Sequence, residues 1–221
     1  MMNLRFRIQN RFQFDANVDD FSEKTSEAKV RRLRLRMDGF VANKKLGYLF
    51  QIGFSREDLD WDNSNIPMNI RDAMIFIPLN TNWQLSFGQG KLPGNRQTMI
   101  SSGSQQFAER SSFNSTFSLD RDFGVFLNYS TSIGKSRLHW KNAISDGEGR
   151  NMFINDVHYS YTSRVEFLPL GRFTSNGDFI EGDLMKENKP KISIAVVYNY
   201  NDNAHRTFGQ RGKILENTAI S

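Results

Sequence analysis

The sequence predicts an all-β chain, an antiparallel transmembrane β-barrel that is incomplete, with about nine strands. Three observations predict it. Apolar and polar residues alternate one by one, the period at which side chains switch faces along a strand. The alternating stretches run past the roughly 5–6 residues usual for strands of globular proteins. The links between them are in turn short and long, the habit of barrels with tight turns at one rim and loops at the other. The longest pure apolar run, Ala73–Ile77, is far short of the roughly 20 residues a membrane-crossing helix needs, whereas a crossing strand needs only about 9–11. A mean hydropathy of −0.56 is no obstacle, because alternation conceals a greasy face inside a polar average.

The first stretch sets the pattern. Leu4, Phe6, Ile8, Phe12, Phe14 and Ala16 alternate with Arg5, Arg7, Gln9, Arg11, Gln13 and Asp15. Leu33, Leu35, Met37 and Val41 then alternate with Arg32, Arg34, Arg36 and Asp38, and Tyr48, Phe50, Ile52 and Phe54 with Gln51, Gly53 and Ser55. Ala73, Ile75, Ile77 and Leu79 form a fourth apolar face, although Met74 and Phe76 break its polar side. Trp83, Leu85 and Phe87 make a fifth, Phe123, Val125, Leu127 and Tyr129 a sixth, and Leu138, Trp140 and Ile144 a seventh. Val157, Tyr159, Tyr161, Val165 and Phe167 make an eighth, and Ile192, Ile194, Val196, Tyr198 and Tyr200 a ninth. Tight turns are expected around Asn43–Lys45, Asn80–Asn82 and Gly134–Lys135, and long loops at Val18–Lys29, Arg56–Asn69 and Pro93–Asp120. The link Pro169–Pro190 falls where a short turn is due and reads as an insertion. Phe54, Trp61, Trp83, Tyr129, Trp140, Tyr198 and Tyr200 lie near strand ends, where aromatic rings settle at headgroup depth.

The chain has no cysteine, which removes disulfides, thiolate metal sites and cysteine nucleophiles. Lys and Arg number 29 against 24 acidic residues, a net charge of +5, which points to an anionic partner. The arginines alternate with Leu and Phe rather than building a mixed basic and aromatic platform, so nucleic acid is not the expected partner. No phosphate-loop, dinucleotide-glycine or nucleophile-elbow pattern occurs, and neither an enzyme nor a cofactor is expected. Asp58, Asp60 and Asp62 have calcium-like spacing, but Asn63 and Asn69 stand where such a loop needs glycine and glutamate. His139, His158 and His205 lack metal-site spacing. Met1-Met2-Asn3 runs straight into Leu4-Arg5-Phe6-Arg7, so any export signal is expected to lie outside this sequence.

Three motifs in order carry a resemblance. Gly88-Gln89-Gly90-Lys91-Leu92-Pro93 closes the fifth strand, Phe107-Ala108-Glu109-Arg110-Ser111 follows, and Arg121-Asp122-Phe123-Gly124-Val125 opens the sixth. With Arg31-Arg32-Leu33-Arg34-Leu35-Arg36 and Tyr48-Leu49-Phe50-Gln51 before them, the succession resembles the phosphate-selective porin O/P family of Gram-negative outer membranes. The resemblance implies a sixteen-stranded barrel, usually a homotrimer in outer-membrane lipid, with the loop after the fifth strand folded into the lumen. Residues 1–202 are then the N-terminal part of such a barrel, 93–120 its inward loop, and 203–221 a truncated loop or the start of another strand. The implied function is passive diffusion of small anions, phosphate or polyphosphate among them.

An ion entering a narrow pore loses water, and fixed cations compensate that loss for anions. Lys91, Arg96, Arg110 and Arg121 are the candidates for the constriction, and Arg32, Arg34 and Arg36 for a basic lumen wall. The plain alternative for each is bracing of neighbouring strands through facing carboxylates. For the whole chain, the alternative is a secreted soluble β-sandwich that binds glycans or other acidic ligands, with its apolar faces packed in pairs.

Overall fold

The computed structural model describes residues 2–16, 24–41, 45–59, 69–107, 109–151, 158–202 and 204. Nine strands form one sheet in the order of the sequence: β1 (Met2–Ala16), β2 (Lys24–Val41), β3 (Leu46–Gly53), β4 (Ile70–Pro78), β5 (Trp83–Lys91), β6 (Arg121–Ile133), β7 (Ser136–Ser145), β8 (Ser160–Leu168) and β9 (Ile194–Asn201). Every neighbouring pair is antiparallel, and β1 and β9 are the two edges. This is a partial β-barrel. Nothing in the described residues forms a second layer over the apolar face, so the sandwich alternative is not met. None of the described helices is long and apolar enough to cross a membrane.

The register puts the predicted faces where alternation requires. Phe6 lies opposite Leu35, Ile75 opposite Phe87, Val125 opposite Ile144, and Phe167 opposite Ile194. Apolar side chains of this face remain open to the surroundings, Phe6 at 61% and Val196 at 71%, as suits a surface meant for lipid. Trp83, Tyr129 and Trp140 gather beside the turns between β4 and β5 and between β6 and β7, with ring centroids 4.6 and 6.4 Å from Trp83. Such a grouping of rings near one rim is the arrangement expected where a barrel meets lipid headgroups.

One expected loop shortens. Residues 24–29, expected in a loop, pair with Arg11–Ala16 of β1. The fifteen residues of β1 rise about 3.4 Å each, roughly 50 Å in all, so the β1–β2 hairpin overreaches a hydrocarbon core of about 30 Å. At its far end β1 still presents Phe12 and Phe14, but their partners in β2, Lys24-Thr25-Ser26-Glu27 among them, carry no apolar stripe. Trp61, Asp60, Asp62, His205 and the remainder of 203–221 apart from 204 lie outside the described residues.

Two irregularities in the ladder bring extra charges inward. Gln9 pairs with Arg32 but Asn10 with Val30, and Gln51 pairs with Asp72 but Ile52 with Ile70. A bulge interrupts the strict switching of sides, and so Arg31 with Arg32, and Arg71 with Asp72, reach the same side of the sheet. The facing glycines Gly88 and Gly124 allow another close approach. A Cβ on Gly88 (φ 121°) would fall on the Ala73 carbonyl oxygen, and one on Gly124 on that of Ile144. Backbone cannot yield as a side-chain tip can. Gly88→Ala is therefore expected to lower the temperature at which the folded form unravels on heated SDS gels, more than Gly134→Ala, whose added carbon meets nothing.

Candidate functional site: a cationic cavity under an inward loop

The segment between β5 and β6 turns over the polar face of the sheet instead of leaving it. Apolar residues explain why. Met74, Phe126 and Ala143 face the interior and form a buried cluster with Leu92, flanked by Leu49, Phe76 and Leu119. Leu92 and Leu119 belong to the two ends of the loop; the others are the strand residues that spoil alternation. An apolar patch on an otherwise polar wall holds the loop down.

Polar contacts then carry the loop across the sheet. The Arg164 guanidinium donates to the Gly94 carbonyl at 2.9 Å, and Arg96 reaches Glu166 of β8 at 3.5 Å. Helix α2 (Arg96–Met99) is capped by Asn95, whose side chain accepts from the Thr98 amide at 2.9 Å. Ser102 lies against the opposite wall and accepts from Arg7 at 2.7 Å and Arg34 at 3.0 Å. Glu109 docks on the same wall, bound by Arg31 and by Arg11 at 3.1 Å, with Arg32 at 3.8 Å. The hydrogen bond from Arg31 holds the Glu109 carboxyl below the usual carboxylate range against the opposing effect of burial. Helix α3 (Ser112–Thr116), capped by Ser111, leads back to β6.

Between loop and wall lies a cavity of about 720 Å³. It is lined by Arg5, Arg7, Arg31, Arg32, Arg34 and Arg36 from the first hairpin, by Arg71, Lys91, Arg121 and Lys141 from the other strands, and by Arg110 from the loop. Three carboxylates share it: Asp58, Asp72 and Asp120. Eleven cationic groups against three anionic ones leave a strong positive field in a recess with low-dielectric walls, the arrangement that concentrates anions.

The predicted residues divide among different tasks. Lys91 donates to the carbonyls of Thr98 (2.7 Å) and Ile100 (3.4 Å), and Arg110 to those of Gln97 (2.8 Å) and Ile100 (3.0 Å). Both staple the loop while lining the cavity. Arg121 is buried between Asp72 (2.9 and 3.2 Å) and Asp120 (2.9 Å). Arg34 binds Asp58 in a forked contact, one arm at 2.8 Å. Arg32 reaches Gln9 at 2.8 Å, and Arg36 reaches Asp38 at 2.8 Å. Arg96 stands apart, outside this cavity and against β8 and Ser193.

The sequence reading missed Arg31 and Arg71 as cavity residues because each depends on a bulge. Arg71 is 6% exposed, donates to Asp58 at 2.9 Å, and has a buried Nε with no partner. Asp58, one of the calcium candidates, is instead enclosed by guanidinium groups on a short helix, α1 (Arg56–Leu59). Among the described residues no cluster of side chains is set to hold a metal. His139 Nδ1 lies 2.9 Å from Ser130 Oγ, and His158 is 3.9 Å from Asp202. Lys191, placed on a strand by its sequence pattern, lies before β9 and donates to the Leu170 carbonyl at 2.9 Å.

A family model described as phosphate-selective porin O and P matches residues 2–169. No curated protein matches the chain.

Proposed function

The chain belongs to the phosphate-selective porin O and P family, pores of the Gram-negative outer membrane rather than enzymes, and from that premise we propose that its cavity is the anion path of a passive pore. The observation that carries the reading is the lining of eleven cations and three carboxylates beneath the inward loop. An anion entering this recess exchanges part of its water for guanidinium and ammonium donors, which offsets the cost of desolvation. Arginine dominates the lining, and its planar fork matches two oxygens of a phosphate at once. Arg71, with one buried N–H unpaired, and Ser102, held between two arginines, add donors at fixed positions. No energy source or cofactor has a role in such diffusion.

The test is planar-bilayer recording of the intact pore. In a potassium chloride gradient the reversal potential is expected to lie on the chloride side, and added phosphate is expected to reduce chloride current. The current should recover as ionic strength rises, because salt screens the cationic field. Comparing orthophosphate with a short linear polyphosphate separates a single-anion path from one suited to chains. A cation-selective current, or chloride current indifferent to phosphate, would overturn the reading in its general or its phosphate-specific part respectively.

A further inference from the structure

The link from Pro169 to Ser193 joins β8 to β9 at the rim where the other described links are tight turns, and it does not stay at that rim. Its root is fixed: the Ser136 hydroxyl donates to the Pro169 carbonyl at 2.9 Å. It then enters the polar side through a 3-10 turn, Thr174–Phe179. Asp178 is buried there, and Lys141 of the wall lies 5.5 Å from the centre of the Phe179 ring. At its tip it meets the inward loop. The Glu181 amide donates to the Ser104 carbonyl at 2.9 Å, and the Glu181 carboxylate accepts from the Gln106 amide at 2.8 Å. One residue thus grips two backbone groups on either side of Gln105, immediately beyond the serine that Arg7 and Arg34 hold from the opposite wall.

We propose that the 169–193 segment is a strut that fixes the aperture of the pore by propping the tip of the inward loop, with Glu181 as its positioning residue. The proposal rests on the pore reading above. A loop tip pinned only on the first-hairpin wall, through Ser102 and Glu109, could swing about those contacts; pinned also through Ser104 and Gln106, it becomes a bar across the lumen with both sides anchored. The strut further narrows the route past β7 and β8, which directs anions to the arginine-lined side. One bond joins two backbone groups and the other runs from a backbone amide to the Glu181 carboxylate, and two such directed contacts on one residue suit a mechanical stop.

Two experiments on the intact pore test this. The chain has no cysteine, so Ser104→Cys with Glu181→Cys introduces a single pair, on two residues whose backbones meet through a 2.9 Å hydrogen bond. Mild oxidation is expected to cross-link them with conductance unchanged; failure to cross-link while both thiols react with maleimide overturns the strut. Separately, Glu181→Ala is expected to increase open-channel current noise, with Glu181→Gln, which retains an acceptor oxygen, restoring the quiet trace. Replacing residues 172–188 by a short turn is expected to raise single-channel conductance roughly twofold, as one of the bodies obstructing the lumen is removed. Unchanged noise in Glu181→Ala and unchanged conductance in the shortened pore would likewise overturn it. A parent protein without any channel current would refute the pore reading, a result distinct from these.

Discussion

Replacing Asp58 with asparagine is expected to weaken the fold and strengthen anion preference at once. Asp58 is 1% exposed and stands between Arg34 and Arg71, with hydrogen bonds of 2.8 and 2.9 Å. Burial opposes its ionisation, yet the hydrogen bond from Arg34 and the charges of Arg71 and Arg34 prevail and hold the carboxyl below the usual carboxylate range. A depressed folded value means that the stabilisation is present above the unfolded carboxylate pKa. It is lost as pH falls through the lower folded value. Asparagine makes that loss permanent at every pH. Leaving buried charges without their partner costs about 3–5 kcal/mol, and the lower end applies here because both arginines also line a water-accessible cavity. The readouts move in opposite directions: the folded form unravels at lower temperature on SDS gels, while the reversal potential shifts further to the anion side. The parent and the variant should also converge in thermal stability at strongly acidic pH. A variant as heat-resistant as the parent at neutral pH would show that Asp58 does not brace the loop between β3 and β4.

Asp58 also illustrates what could and could not be read from the chain alone. Alternation identified all nine strands, because a strand with lipid on one side and water on the other must change polarity at every residue. It overlooked the beginning of β2, since residues 24–29 extend past the lipid and carry no apolar stripe. It put Arg32, Arg34 and Arg36 on one face, where they line the cavity, but it did not give the cavity its depth. Arg31 beside Arg32 and Arg71 beside Asp72 should face opposite ways, and only a bulge, invisible to a period of two, turns both inward. The clue lay in residues that seemed to blur the pattern. Met74 and Phe76 are apolar where β4 faces water, as are Leu49 and Phe126 in their strands, and together they make the seat for Leu92 and Leu119. Inward apolar residues on consecutive barrel strands mark the place where a loop comes to rest. Arg96, by contrast, could not be placed from its position in the loop, because its partners Glu166 and Ser193 are far along the chain.

The second large effect is expected from Arg7 and Lys91, which on the proposed pore reading would contribute to selectivity for a reason that Arg121 does not share. Arg121 lies between Asp72 and Asp120, so much of its charge is cancelled where an ion would meet it. Arg7 donates to the Ser102 hydroxyl, and Lys91 to the Thr98 and Ile100 carbonyls. Those partners are neutral, so neither cation is hydrogen-bonded to a carboxylate as Arg121 is. Arg7→Glu combined with Lys91→Gln removes three of the excess of eight formal positive charges in the lining. A unit charge acts on an ion at 4 Å with about 1 kcal/mol in bulk water, so even after screening and greater distance the double variant should lose roughly tenfold in anion-over-cation permeability. Lys135→Gln, at the exposed turn between β6 and β7, removes a cation that does not line the cavity and should leave the ratio unchanged. Should the double variant keep the parent's reversal potential while remaining folded and conducting, the ions do not pass beneath the loop. Selectivity would then have to be set elsewhere along the barrel, and the arginines of the first hairpin would be left with the bracing of strands as their task.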